Sequence, residues 1–187
     1  MALAMTSDTS AARLDIETWT MAGLDLLWEE GVDAVKVASL ATRLGVTKGS
    51  FYWHFKDREA LLDAMLAHWR RRATMDIIDR LDRSTESPEA RLRNLFRVPF
   101  TMSAAEWAAD PLRMWGRRDP KVRAALDEID QIRLRYLTRL LETCGFSPEE
   151  AAARGVMAYC YIRVAVTLVD RNQSQITDRC EKILLGA

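Results

Sequence analysis

Apolar residues recur along this chain at intervals of three and four, the step that lines one face of an α-helix. Ile16, Trp19, Gly23, Leu26 and Leu27 form a first stripe, which stops at Gly31, a residue suited to a helix C-cap. Val37, Leu40, Ala41 and Leu44 form a second, short stripe ending at Gly45. Thr47 is a good N-cap for a third helix reaching Phe55. Asp57 can cap a fourth. Its stripe of Leu62, Met65, Leu66 and Trp69 continues through Ile77, Ile78 and Leu81, so one long helix is expected to join two modules.

Ser84 to Pro88 breaks the pattern, and Ser87 with Pro88 behind it starts the next helix. The segment 100–120 holds Met102, Trp107, Met114 and Trp115, with Pro111 and Gly116 as breakers. It reads as one broken helix or two short ones. Asp119-Pro120 opens a long helix through Val122, Leu126, Ile129, Ile132, Tyr136, Leu137, Leu140 and Leu141, ending near Gly145. Ser147-Pro148-Glu149-Glu150 is a capping box for a helix running to about Asp170. A last helix covers about Ser174 to Leu185. Residues 1–12 are small and polar and are expected to be disordered. With no strand pattern and no internal repeat, the expected fold is all-α. An N-terminal three-helix domain, 13–57, is joined to a larger helical domain, 58–187.

Composition agrees. The 187 residues are 49% hydrophobic, with only 8 Gly and 5 Pro, which suits helices and allows a sizeable core. Lys+Arg and Asp+Glu are both 27, which excludes one large basic surface but leaves room for a local patch. Cys144, Cys160 and Cys180 are far apart, with no ligand spacing, and read as reduced thiols in packed positions. The first residues lack a basic, then apolar, leader pattern. The longest apolar run, Gly155 to Val169, contains Arg163 and is shorter than the about 20 residues that span a bilayer. A soluble, cytoplasmic protein without membrane contact is expected.

The chemistry concentrates in Thr47 to Phe55, T-K-G-S-F-Y-W-H-F. Two short helices joined by the tight Leu44-Gly45-Val46 turn make a helix-turn-helix, whose second helix enters a DNA major groove. On a wheel of about 100° per residue, Phe51 and Phe55 share one face, while Gly49 and Trp53 lie opposite. Tyr52 flanks that outer face on one side, Ser50 and His54 on the other. Phe51 and Phe55 are therefore core, packing with Leu40, Leu44 and Leu61. The other rings form an exposed patch beside Lys48, the mark of a binding surface. Gly49 costs about 1 kcal/mol against Ala in a helix, and close approach of backbone to a ligand would offset it.

Local charge points the same way. From Ala34 to Arg58 stand five cations, Lys36, Arg43, Lys48, Lys56 and Arg58, against one anion, Asp57. Phosphate contacts from such a patch position a protein, and base-edge contacts specify its site.

Asp33 to Met65 resembles the DNA-binding domain of TetR-family transcriptional regulators, and T-K-G-S-F-Y-W-H-F-K-D-R is specific for that family. The resemblance covers about residues 13–70. Beyond it the family is matched in architecture alone, as helices forming a ligand-binding and dimerisation domain. The resemblance implies DNA contacts from Thr47, Lys48, Gly49, Ser50, Tyr52, Trp53, His54 and Arg58, and from Lys36 and Ser39 at the second helix. Where the family usually carries a phosphate-contacting Arg, this chain has Ala38, and Lys36 is the candidate substitute. Leu40, Leu44, Gly45, Val46, Phe51 and Phe55 match the core of the motif.

Other features are weighed against plainer readings. His68 has no second His nearby in sequence, so no metal site is expected. Arg70-Arg71-Arg72 reads as a solvated helix face. Met102, Trp107, Met114, Trp115, Tyr136, Met157 and Tyr161 suit an adaptable ligand pocket and equally suit an ordinary core. The run from Gly155 is apolar nearly all round and needs burial on two sides. It motivates a homodimer whose interface includes Val156, Tyr159, Arg163 and Val166. Arg163 either pairs with an acid across that interface or meets an anionic ligand.

The expected protein is a homodimeric transcriptional regulator, a ligand-responsive repressor on a palindromic double-stranded DNA operator. Its effector would be a small apolar or amphipathic molecule, and no cofactor is expected. An enzyme lacks support: no acid pair, nucleophile–base set or phosphate loop is present. A module binding protein through its exposed rings is the remaining rival.

Overall fold

The computed structural model describes residues 15–101, 111–168 and 174–186. The expectations for residues 1–12, for Met102 and Trp107, for the side chain of Val166 and for a helix end near Asp170 lie outside the described residues. The described chain is helical, with α1 (Ile16–Glu30), α2 (Val37–Arg43) and α3 (Lys48–Tyr52) first. Next comes α4 (Arg58–Arg70), which runs through a π-turn (Arg71–Met75) into α5 (Asp76–Arg83). Then follow α6 (Pro88–Thr101), α7 (Pro111–Gly116), α8 (Pro120–Thr143), α9 (Pro148–Leu168) and α10 (Ser174–Leu185).

Local chemistry sets most of the helix ends. Asp15 accepts from the Thr18 amide at 2.8 Å and the Thr18 hydroxyl at 2.7 Å. Those bonds hold its carboxyl below the usual range. Asp57 accepts from the Ala60 amide at 2.8 Å, and Asp119 from Lys121 and Val122. After α2, Gly45 has φ +67°, its N–H bonds the Thr42 carbonyl, and the Val46 N–H bonds that of Ala41. This paired closure, a Schellman motif, needs a left-handed residue at its corner. It turns the chain sharply enough to launch α3 across α2. At α9 only half of the expected capping box forms. The Glu150 amide donates to Ser147 Oγ, while the Glu150 carboxylate takes Arg154.

Two apolar cores result. The first holds Trp19, Leu27, Val35, Leu40, Phe51, Leu61 and Met65. Leu112 and Trp115 of α7 and Val122, Ala125 and Leu126 of α8 belong to it as well. The second gathers Leu81, Leu92, Phe96, Tyr136, Leu137, Leu140, Leu141, Ala151, Ala158 and Leu184. The expected domain boundary, before residue 58, is therefore corrected. Leu61, Leu62, Met65 and Leu66 of α4 are buried in the first core. Core membership changes hands at the π-turn on one side and between Leu126 and Tyr136 of α8 on the other. No described helix is long and apolar enough to cross a membrane.

Candidate nucleic-acid interface

The Thr47–Phe55 stretch divides as the wheel requires. Phe51 is fully buried and Phe55 is 6% exposed, whereas Tyr52 is 60% and Trp53 80% exposed. Phe51 meets Trp19 edge-on at 5.4 Å between centroids and stacks on Phe55 at 5.4 Å. Such ring pairs add about 0.5–1.5 kcal/mol beyond area burial, so the outer face rests on a fixed base. Thr47, Lys48 and Gly49 are exposed on that face, and Ser50 and His54 are half-buried beside it.

Two details differ from expectation. The helix proper ends at Tyr52, because the Phe51 carbonyl takes both the His54 and the Phe55 amides. Trp53 and His54 thus sit in a closing turn. Thr47 occupies the cap position with extended backbone, yet its hydroxyl makes no cap bond. The Ser50 amide bonds the Thr47 carbonyl instead, at 3.1 Å. At Gly49 an added Cβ would meet only Thr47 Oγ1, at 3.6 Å. Nothing among the described residues demands glycine there.

The charge of the patch is smaller than the residue count suggests. Arg43 makes two bonds of 2.6 Å to the Glu29 carboxylate, and Lys56 lies 3.7 Å from Asp57. Lys36 and Lys48 make no ion pair with a described residue, and both are exposed with Ser39 and Ala38 on the same module. An exposed ring pair, unpaired lysines and exposed backbone N–H groups opening a helix suit a polyanion with stacked bases.

The family model of bacterial regulatory proteins of the tetR family matches residues 21–65, which contain the exposed patch from Lys36 to Arg58. These residues match the DNA-binding domain of that family. This chain is 49% identical over 53 residues to the tetracycline repressor protein class A from transposon 1721 of Escherichia coli. That match covers 28% of this chain and 24% of the repressor. It is 35% identical over 75 residues to the HTH-type transcriptional repressor KstR2 of Mycobacterium tuberculosis, covering 38% of this chain and 36% of that one. The chain thus matches about a quarter to a third of the length of these relatives. The fold as a whole resembles the fatty acid degradation regulator FadR from Bacillus halodurans, with a TM-score of 0.66 and 20% identity. That likeness covers 92% of this chain and 95% of that one.

Arg58, expected at the phosphate backbone, is turned partly into the fold. Its Nε donates to the Val35 carbonyl at 2.5 Å and its Nη2 to that of Val32 at 2.6 Å. A guanidinium that gives two of its five donors to carbonyls ties α4 to the turn before α2.

The expected pocket residues that are described, Met114, Trp115, Tyr136, Met157 and Tyr161, do not gather. Met114 and Met157 are 54% and 53% exposed. Trp115 packs in the first core, and its Nε1 donates to Asp119 at 3.2 Å. Tyr136 packs in the second, its hydroxyl donating to Asp82 at 3.0 Å, and Tyr161 lies against Phe96. Burial and the Asp82 carboxylate push the Tyr136 phenol up to about 12.

Of the expected dimer residues, Val156 is exposed, at 49%. Tyr159 turns inward, its hydroxyl donating to Asp130 at 2.5 Å, and Arg163 is half-buried. The exposed face of α9 carries Val156, Met157, Cys160 and Val164, at helical spacing. On α10, Ile176 and Ile183 are exposed with Cys180 half-buried between them, a contribution the sequence reading missed.

Proposed function

We propose that this chain is a transcriptional repressor that grips a palindromic operator as a homodimer and is released by a small effector. The observation that carries the reading is the exposed Lys48–Tyr52–Trp53 surface, held on the buried Trp19–Phe51–Phe55 ring cluster. Phosphates would meet Lys48, Lys36 and the helix-opening amides, while bases would meet the side chains around Gly49. The match of residues 21–65 to the tetR-family DNA-binding domain supports the DNA partner. A regulator of this kind would work in the cytoplasm.

The exposed apolar faces of α9 and α10 support the second subunit. Val156, Met157, Val164, Ile176 and Ile183 are each more than two-fifths exposed. So much apolar surface on two packed helices favours burial against a copy of itself. Two reading helices would then lie about 34–36 Å apart, or a multiple of that. A small apolar or amphipathic effector in the C-terminal body would change that separation. It acts only by binding the released geometry better than the DNA-bound one.

Selection of bound sequences from a random DNA pool tests the reading. The expected result is a two-fold symmetric site, with affinity falling steeply as salt rises. Lys48→Ala and Tyr52→Ala should each weaken binding by about tenfold or more while leaving fold and subunit state intact. Binding without a symmetric site and without salt dependence would overturn it.

A further inference from the structure

Between the two cores lies a layer of polar side chains, centred on Arg133 of α8. Its Nε donates to Thr74 Oγ1 at 2.9 Å and its Nη2 to the Ala73 carbonyl at 2.9 Å. Thr74 is only 2% exposed. Both acceptors belong to the π-turn, where the Asp76 amide reaches back to the Arg71 carbonyl. The same guanidinium lies over the Trp69 ring, 5.7 Å from its centroid.

One turn earlier on α8, the Asp130 carboxylate takes Arg113 of α7 at 2.7 and 2.8 Å and the Tyr159 hydroxyl of α9 at 2.5 Å. Side chains from α7, α8 and α9 thus converge where α4 becomes α5.

A π-turn is a wide, weakened ring in a helix, and such turns favour functional sites. Here it interrupts the rod that begins in the reading module and ends in the second core. A side chain bonded into the backbone ladder is a recognised cause of a helix bend. We propose that Arg133 is a latch: by holding the π-turn it fixes the angle at which the reading module sits on the helical body. Opening the latch loosens that angle and lowers operator affinity. The second half of this statement rests on the operator-binding reading; the first does not. Arg133 is a positioning residue, since it touches no reading-face residue and acts through α4. A body-bound molecule that moves α7 or α9 would reach the latch through Asp130, which neighbours Arg133 on α8.

The test compares full-length wild type, Arg133→Ala, Arg133→Lys and Thr74→Val by amide hydrogen exchange, thermal melting and binding to operator selected from the pool. Arg133→Ala and Thr74→Val should speed exchange in residues 71–75 by about tenfold, with peptides over 61–66 and 137–141 unchanged. Operator affinity should fall by about tenfold in both. Arg133→Lys, a point charge without the two-pronged fork, should fall between. Unchanged exchange at the π-turn in both variants would overturn the latch. Faster exchange there with full operator affinity would overturn the coupling, and so would equal loosening of both cores. A wild type that selects no DNA would remove the functional reading and the affinity arm with it, and the exchange rates would still decide the latch.

Discussion

The guanidinium of Arg58 grips the carbonyl of Val35, 23 residues earlier in the chain, at 2.5 Å. A second prong takes the Val32 carbonyl. The 3-10 turn Val32–Ala34 and the start of α2 are thereby fixed to α4. Charged hydrogen bonds of this kind contribute about 1.5–3 kcal/mol each at most. Arg58→Ala should cost about 2 kcal/mol in urea unfolding and lower the melting temperature. The salt slope of DNA binding should stay at the wild-type value. A slope reduced by about one charge, with stability unchanged, would return Arg58 to the phosphate contacts.

Gly49 provides a sharper separation of fold from binding. Its Cβ position is open within the chain, and alanine favours a helix by about 1 kcal/mol. Gly49→Ala should therefore melt at the same temperature or slightly higher. Operator affinity should drop by about tenfold if backbone must come against DNA there. Equal affinity in the variant would leave the glycine without a role in recognition.

These two positions show what was legible in the sequence. Gly31, Gly45, Asp57, Asp119-Pro120 and Ser147-Pro148 mark helix ends by their own conformational preferences, so they could be read in place. The split of Thr47–Phe55 was legible because helical period alone separates Phe51 and Phe55 from Trp53. The role of Arg58 was not, since it depends on carbonyls 23 and 26 residues away. The Arg133–Thr74 bond spans 59 residues and was equally hidden. For α9 the difficulty was different. A segment apolar all round offers no stripe to orient it, so helical period alone does not reveal that Tyr159 turns inward and Met157 outward.

The α9–α10 face yields a test of assembly. Met157 and Val156 are 53% and 49% exposed, so a charge at either barely disturbs the isolated subunit. Across a subunit interface the same charge would be buried without a partner, at about 3 kcal/mol or more. Met157→Asp should raise the dimer dissociation constant by about a hundredfold in analytical ultracentrifugation. Operator affinity should fall with it. An unchanged dimer in both Met157→Asp and Val156→Asp would place the interface elsewhere.

Alkaline stability reports on Tyr136. Its folded phenol, buried and bonded to Asp82, titrates at about 12, against about 10 in an unfolded chain. A raised folded value favours the protonated form. Its stabilising effect is complete below about pH 10 and is lost as pH rises through about 12. Tyr136→Phe should lose about 1 kcal/mol at neutral pH and unfold less steeply between pH 10 and 12. Burial also pushes up Tyr159 and Tyr161, so the difference between the two proteins is the quantity to measure. Identical alkaline arms would separate Tyr136 from this behaviour.

The first core joins residues as distant as Trp19 and Leu126, and ion pairs Arg118–Asp33 and Arg70–Glu128 bridge the same elements. The reading module therefore has no clean seam along which it could be cut. A fragment ending near Arg70 would bare the surfaces that Leu112, Trp115 and Val122 cover. A chimera carrying this module on another body would need those covering side chains rebuilt on the recipient. Transplanting specificity in this protein is thus a problem of matching two surfaces, not of joining two sequences.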